Sequence, residues 1–174
     1  MKPTMKANNE ISDPQMDAAR RRLRESVDQA DALEGFREII TNFLGCEEIG
    51  IFKVDRERET LKLVWSFGID PDRHKVVDSL NPPDLQRVID GELHFADFAA
   101  ANEGLNPMAP FCAFVPLRSQ GETVAVLGIQ RWLPQKTAID DSDRKLLQLL
   151  SDEAGRALFG RRTISSNGQV GGAP

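Results

Sequence analysis

The stretch that decides the fold runs from Phe111 to Trp132 and reads FCAFVPLRSQGETVAVLGIQRW. Two apolar runs flank a short polar turn, in which Gly121 allows a tight reversal of the chain. Consecutive residues are apolar in both runs, which is typical of strands that are covered on both faces and lie centrally in a sheet. We therefore expect an inner β-hairpin with a bulge or kink at Pro116, and no obvious catalytic group within it.

Upstream of this hairpin, two segments of partly alternating apolar residues predict a second one. They read IGIFKVD (Ile49–Asp55) and TLKLVWSFG (Thr60–Gly68), with the charged turn RERE between them. Four large apolar residues of the second segment are expected to share one face of the sheet: Leu61, Leu63, Trp65 and Phe67.

Between the two hairpins, the sequence predicts a short helix, a short strand and a long loop. Asn81 and Pro82 are typical of a helix start, and ELHFAD (Glu92–Asp97) is typical of a strand. The loop FAAANEGLNPMAP (Phe98–Pro110) has no clear period, and loops of this length inside compact domains often cover a binding site. The candidate ligand-binding residues are Trp65, Phe67, His94, Asp97, Phe98 and Asn102.

Several of these residues also have a purely structural interpretation. Trp65 and Phe67 could stack on a planar ligand, or they could belong to the core. His94 and Asp97 could hydrogen-bond a polar ligand, or they could be a half-exposed strand residue and a turn cap. The basic segment ARRRLR (Ala19–Arg24) could likewise dock an acidic partner, or it could be a solvated helix face.

Apolar residues at steps of three and four predict helices at both ends of the chain. Ser12 or Asp13 caps the first helix, Gly35 is the expected place of a break or bend in it, and Asp140 or Asp141 caps the last helix. One helix of about 30 residues would be about 45 Å long, more than a domain of this size covers. We therefore expect it to pair with a second copy of the chain, with a helix folded back on its own domain as the alternative. The candidate dimer contacts are Met16, Leu23, Val27, Ala30, Leu150 and Ala157.

The order of the predicted elements is typical of an α+β fold, an antiparallel sheet with helices packed on it. We expect residues 1–12 to be disordered and residues 13–32 to form an N-terminal helical extension. Residues 33–162 are then the folded domain, and residues 163–174 are a flexible tail.

Composition narrows the functional classes. The chain has 174 residues, a formal net charge of −5 and a pI of about 5.1, which argues against general affinity for nucleic acid or an anionic membrane. The start is polar, with no secretory leader, and no apolar run approaches the roughly 20 residues of a membrane span, so we expect a cytoplasmic protein. Cys46 and Cys112 are expected to be thiols, and with His74 and His94 they have no compact metal-ligand spacing. We expect no metal and no cofactor.

Several features in this order resemble the GAF domain family. They are the run from Gly91 to Asp97, Pro116–Leu117, the turn at Gly121, Val126–Leu127–Gly128 and the helix from Asp143 to Leu158. The segment LEGFREIITNFLGCEEIGIFKVD also looks like the first helix and strand of the family. The resemblance covers roughly residues 33–162.

The resemblance implies a central antiparallel sheet of about five to six strands, with the terminal helices on one face and a loop-covered pocket on the other. It implies a non-catalytic sensory or regulatory module in signal transduction, which forms a homodimer through its terminal helices and passes a small-molecule or partner signal to another protein. The alternatives are an interaction module whose pocket is filled by its own side chains and, in third place, a free methionine sulfoxide reductase-like enzyme. The signatures of cyclic-nucleotide-binding members and of covalent bilin binders have no match here.

Overall fold

The backbone has the helices and strands of an α+β fold. The computed structural model describes residues 12–58, 60–72, 76–78, 87–95, 111, 113–132 and 138–160. The predictions for the disordered start, the helix start at Asn81, the loop 98–110 and the tail 163–174 lie outside the described residues, except at Ser12. In chain order the elements are α1 (Asp13–Arg24), α2 (Gln29–Ile39), the π-helical turn π1 (Ile40–Leu44), β1 (Cys46–Asp55), β2 (Thr60–Phe67), β3 (Val76–Asp78), β4 (His94–Phe95), β5 (Ala113–Ser119), β6 (Glu122–Trp132), α3 (Asp141–Gly155) and the π-helical turn π2 (Arg156–Gly160).

The sheet confirms the hairpin predicted from the sequence. All neighbouring strands are antiparallel, in the order β3-β2-β1-β6-β5-β4, so that four long strands form the centre and two short strands lie at the edges. β6 lies between β1 and β5, and residues 125–129 are buried on both faces. Gln120 and Gly121 form the two-residue turn with positive φ values of 53° and 80°, as a tight hairpin turn requires. One residue beyond Pro116, the β5–β6 register shifts between Leu117 and Arg118, which confirms the irregularity predicted there.

The helical stripe at the N-terminus is interrupted, but not at Gly35. α1 begins with a capping box in which Ser12 Oγ accepts a hydrogen bond from Gln15 N, and α1 ends at Arg24. A new helix starts at Gln29 because Asp28 Oδ1 accepts a hydrogen bond from Asp31 N (2.8 Å). The expected break at Gly35 is therefore wrong: the chain turns at residues 25–28, and Gly35 lies inside α2.

The terminal helices pack on their own chain. α1, α2 and α3 cover one face of the sheet, called here the helix face, and bury a single core against it. Of the candidate dimer contacts, Leu23, Leu150 and Ala157 are at most 6% exposed and belong to this core. These three residues are thus not available at the surface for a second copy, and the alternative of a helix folded back on its own domain describes α1. Met16 is half-buried, whereas Val27 and Ala30 are exposed.

A β-bulge in β2 changes which residues share a face. Ile51 pairs with Trp65 while Phe52 pairs with Leu63, so Val64 is an extra residue without a partner on β1. Since successive side chains alternate between faces, one inserted residue moves those beyond it to the other face. Leu61 and Leu63 therefore face away from the helices, whereas Trp65 and Phe67 pack against the helix-face core. The expectation that all four share one face is wrong.

Candidate functional site

The face of the sheet opposite the helices carries a second apolar cluster, called here the aromatic face. Its buried members are Phe52, Leu61, Ile69, Val88, Phe111 and Val126, with Val54, Leu63, Ile89 and Phe114 packed around them. The rings of Phe52 and Phe111 meet edge to face, with centroids 5.3 Å apart and an interplanar angle of 83°. Phe111 also lies 5.6 Å from the ring of Phe114.

A pair of glycines makes room for these rings. Gly50 in β1 and Gly128 in β6 are directly opposite each other in the sheet. A Cβ at Gly128 would lie 3.0 Å from both Phe52 and Phe111, and a Cβ at Gly50 would lie 3.1 Å from Phe52. Such distances are shorter than ordinary van der Waals contact, so the two rings rest on strand backbone where any other residue would hold them away.

Of the residues proposed from sequence as pocket lining, the two whose side chains the structure describes lie on the opposite face of the sheet. Trp65 and Phe67 lie on the helix face, where the guanidinium of Arg37 sits 4.8 Å from the centroid of the Phe67 ring. The backbone of His94 belongs to β4 and pairs with Phe114. Asp97, Phe98 and Asn102 lie outside the described residues.

A concave feature lies among α1, α3, π2 and the β5–β6 turn, and is called here the α1–π2 cleft. Its volume is about 290 Å³, and its lining comprises Leu23, Arg24, Ser119, Gln120, Glu153, Arg156, Ala157 and Gly160. Arg24 donates to both carboxylate oxygens of Glu153, from Nη2 to Oε1 (2.6 Å) and from Nε to Oε2 (3.1 Å). Arg156 donates to Glu153 Oε2 from the other side.

Glu153 is the electrostatic centre of this cleft. Its side chain is only 9% exposed, and the guanidinium groups around it offset the cost of burying its charge. The hydrogen bond from Arg24 lowers the pKa of Glu153 most, burial works in the opposite direction, and Arg156 lowers the pKa further. The result is a fixed carboxylate that joins α1 to α3 and holds two guanidinium groups in place.

The sequence matches the model of a known family over most of its length. A family model described as GAF domain matches residues 28–158. The chain belongs to the GAF domain family. GAF domains are sensory and regulatory modules of signalling proteins. No curated protein matches the sequence.

Solved structures share the GAF fold at low identity. The GAF domain of an Acinetobacter phosphoenolpyruvate-protein phosphotransferase is 17% identical with a TM-score of 0.62, over 89% of this chain and 99% of that one. Residues 122 to 287 of a methyl-accepting chemotaxis protein are 18% identical with a TM-score of 0.60, over 84% and 98%. A free methionine-R-sulfoxide reductase from Neisseria meningitidis is 18% identical with a TM-score of 0.55, over 85% and 88%. At such identities the likeness shows the fold alone, and the proteins concerned differ in kind, from a chemotaxis protein to a sulfoxide reductase.

Cysteine chemistry finds no support in the described part of this GAF domain. Cys46 is fully buried in the helix-face core, and its thiol contacts the carbonyl oxygen of Leu44 at 3.9 Å. Cys112 lies outside the described residues. In the described ranges, no group of three His, Cys, Asp or Glu side chains gathers as a metal site would require, and no helix is both long and apolar enough to span a membrane.

Sequence reasoning missed the main features of both candidate sites. A glycine within an apolar strand indicates close approach of another group, and Gly50 and Gly128 each interrupt such a run. That signal could have directed attention to Phe52 and Phe111. No local signal connects Arg24 with Glu153, because 129 residues separate them in the chain.

Proposed function

We propose that this GAF domain is a non-catalytic, cytoplasmic regulatory module that receives a signal on its aromatic face and passes it to another protein. The supporting observation is the pair of rings, Phe52 and Phe111, seated on Gly50 and Gly128 in the middle of the sheet. A small molecule with a planar apolar part would stack on these rings and bury its own apolar surface. Because the described side chains nearest to the two glycines are apolar, namely Phe52, Leu63, Ile69 and Phe111, the ligand class that suits this face is an uncharged or largely apolar aromatic molecule.

A single layer of strands separates the aromatic face from the helices. In β1, Phe52 belongs to the aromatic face and the adjacent Ile51 packs into the helix-face core. Close packing does not deform continuously, so a ligand that displaces one ring would favour one arrangement of strand and helix over another. The helix arrangement is then the output that a partner protein would read.

Native mass spectrometry of the full chain, purified gently from its source cells, tests the ligand. We expect a bound aromatic molecule. Its affinity should fall about tenfold in Phe111→Leu, because this variant lacks one of the two rings that the ligand contacts. Phe159→Leu is the matched control, since Phe159 packs on the helix face. Equal loss of affinity in both variants, or a wild-type chain that carries no small molecule, would contradict ligand sensing at this face.

A second candidate is an interaction module whose pocket is filled by its own side chains. The observation in its favour is that Phe52 and Phe111 already cover the two glycines. On this reading the wild-type chain binds no small aromatic molecule, whereas Phe111→Ala opens a cavity that accepts a ring-sized probe such as indole. Isothermal titration of both proteins with indole separates the two candidates, because a sensory pocket would already bind it in the wild type.

We further propose that the domain has no sulfoxide reductase activity. The support is the position of Cys46, buried on the helix face and turned away from the aromatic face. The test is turnover of free methionine sulfoxide with dithiothreitol as reductant, for which we expect no more than the rate without protein. A turnover that disappears in Cys112→Ser would show cysteine catalysis and overturn this part of the proposal.

Homodimer formation is also a proposal. Its candidate contacts reduce to Met16, Val27 and Ala30, since the other three are core residues, and Val27 is 82% exposed. Analytical ultracentrifugation of the full chain should then show a dimer that Val27→Asp weakens about tenfold. A wild-type monomer at high concentration would refute it, and so would a dimer that Val27→Asp leaves unchanged.

A further inference from the structure

The α1–π2 cleft contains hydrogen-bonding groups that the fold does not use. A guanidinium group carries five N–H donors, and the described residues account for only one of those of Arg156, the one that Glu153 accepts. The side chain of Arg156 is 58% exposed. The Ser119 hydroxyl and the Gln120 amide also line the cleft and have no hydrogen-bond partner among the described residues.

The space between these groups is kept open by a residue without a side chain. A Cβ at Gly160 would lie 3.2 Å from Arg156 Cγ and 3.5 Å from Ser119 Oγ. A side chain at Gly160 would therefore press on the aliphatic stem of Arg156 and touch the Ser119 hydroxyl. The residues from Arg156 to Gly160 form the π2 turn, and π-helical turns occur frequently at functional sites.

The charge of the cleft is opposite to that of the chain. Two arginines, Arg24 and Arg156, and one carboxylate, Glu153, line it, so its net charge is positive while the whole chain carries −5. Glu153 occupies one edge of the Arg156 guanidinium and fixes its orientation, which lowers the entropy lost when a second anion binds to the remaining edge. Arg side chains held in this way are well suited to carboxylate and phosphate groups.

We propose that the α1–π2 cleft is an oxyanion site, which takes a carboxylate or phosphate group on the outer edge of Arg156 with the Ser119 hydroxyl and the Gln120 amide. This site is separate from the aromatic face and does not depend on the function proposed for it. The oxyanion comes either from a small molecule or from an acidic side chain of a partner protein, and the two sources share this chemistry.

The test is an NMR titration of the ¹⁵N-labelled full chain at constant ionic strength, with inorganic phosphate as one probe and a capped tetraglutamate peptide as the other. We expect saturable shifts of the Arg156 Nε–H and the Gln120 side-chain amide. Arg156→Gln should weaken binding about tenfold or more, as expected for a hydrogen bond to a charged group. Arg58→Gln removes an exposed arginine of the β1–β2 turn and is the matched control, with unchanged affinity.

Two further variants separate a built site from general attraction of anions. Gly160→Ala presses a methyl group against the stem of Arg156 without a change of charge, so it should shift the guanidinium and also weaken binding. Glu153→Gln removes the competing negative charge while its amide oxygen can still accept the hydrogen bond that orients Arg156, so it should strengthen binding several-fold, whereas Asp152→Asn on the same helix should not.

Each outcome of the titration supports or refutes the oxyanion site. Tighter binding of phosphate assigns the site to a free anion and tighter binding of the peptide assigns it to a partner's side chain, and both support an oxyanion site. Shifts that do not saturate with either probe would overturn the proposal. It would equally fail if Arg58→Gln weakened binding as much as Arg156→Gln, because the attraction would then come from overall charge.

Discussion

Gly155 should be the residue of α3 that tolerates a methyl group least. Within a helix, replacement of glycine by alanine ordinarily stabilises a protein by about 1 kcal/mol. At Gly155, however, the new Cβ would lie 2.5 Å from the backbone nitrogen and 2.6 Å from the carbonyl carbon of Arg118, and would overlap its carbonyl oxygen. Gly155→Ala must therefore move α3 away from β5.

The size of the effect follows from what has to move. Overpacking costs about 1–3 kcal/mol when side chains can adjust, and here the obstacle is strand backbone, so the upper end applies. With about 1 kcal/mol of helix propensity subtracted, we expect Gly155→Ala to lower the free energy of unfolding by about 2 kcal/mol. For a chain of this size, that corresponds to a fall in Tm of about 4–8 °C.

Gly35 offers a matched control. It also lies within a helix, but the nearest atoms to its Cβ belong to the side chain of Arg22, at 2.9 Å from Cζ. The long side chain of Arg22 can move aside if its ion pairs with Asp31 and Glu38 break. These ion pairs are partly exposed and contribute at most about 1 kcal/mol. Gly35→Ala should thus change stability by less than about 0.5 kcal/mol in urea denaturation. If Gly155→Ala were as stable as Gly35→Ala, the contact between α3 and β5 would be wrong.

Two further predictions concern Glu153 and the bulge. Because the fold lowers the pKa of Glu153, its carboxylate stabilises the protein above the ordinary pKa of 4.5, and this stability is lost as the pH falls through the lower folded value. Glu153→Gln should therefore lower the free energy of unfolding by about 1–3 kcal/mol at pH 7. In urea denaturation the variant should lose less stability than wild type between pH 6 and pH 3, and an equal loss would contradict the ion pair. Deletion of Val64 would remove the bulge and leave Trp65, now next to Leu63, paired with Ile51 on the helix face, so we expect a folded chain by circular dichroism; Val64→Thr, at a 48% exposed position, should likewise unfold within about 0.5 kcal/mol of wild type, and an unfolded deletion variant would contradict the register.

The features predictable from sequence are those that neighbouring residues determine. The inner hairpin, its turn at Gly121 and the cap of the last helix at Asp140 depend on contacts within a few residues, and each is found in the structure. The helix break shows a choice between two local signals. Gly35 is a weak helix former, but Asp28 followed by Asp31 three residues later is a stronger start signal.

What sequence could not supply depends on contacts between distant segments. Large apolar residues alternate regularly in this segment, at Leu61, Leu63, Trp65 and Phe67, and only the apolar Val64 departs from the pattern. The bulge is therefore recognised mainly from the pairing of β2 with β1. The same regular alternation is why the sequence predicts Trp65 and Phe67 as pocket residues.

β5 connects the two candidate sites. Phe111 of the aromatic face lies two residues before the strand, Ser119 of the α1–π2 cleft is its last residue, and Arg118 contacts Gly155 of α3. Where Arg118 meets Gly155, no glycine side chain lies between strand and helix to absorb a movement. A displacement at one end of β5 is therefore transmitted along the strand. Binding at the two sites should therefore be coupled, and the coupling must be reciprocal. A phosphate titration of the Phe111→Ala variant with and without indole measures it: a change in phosphate affinity is expected, and identical affinities would show that β5 keeps the two faces independent.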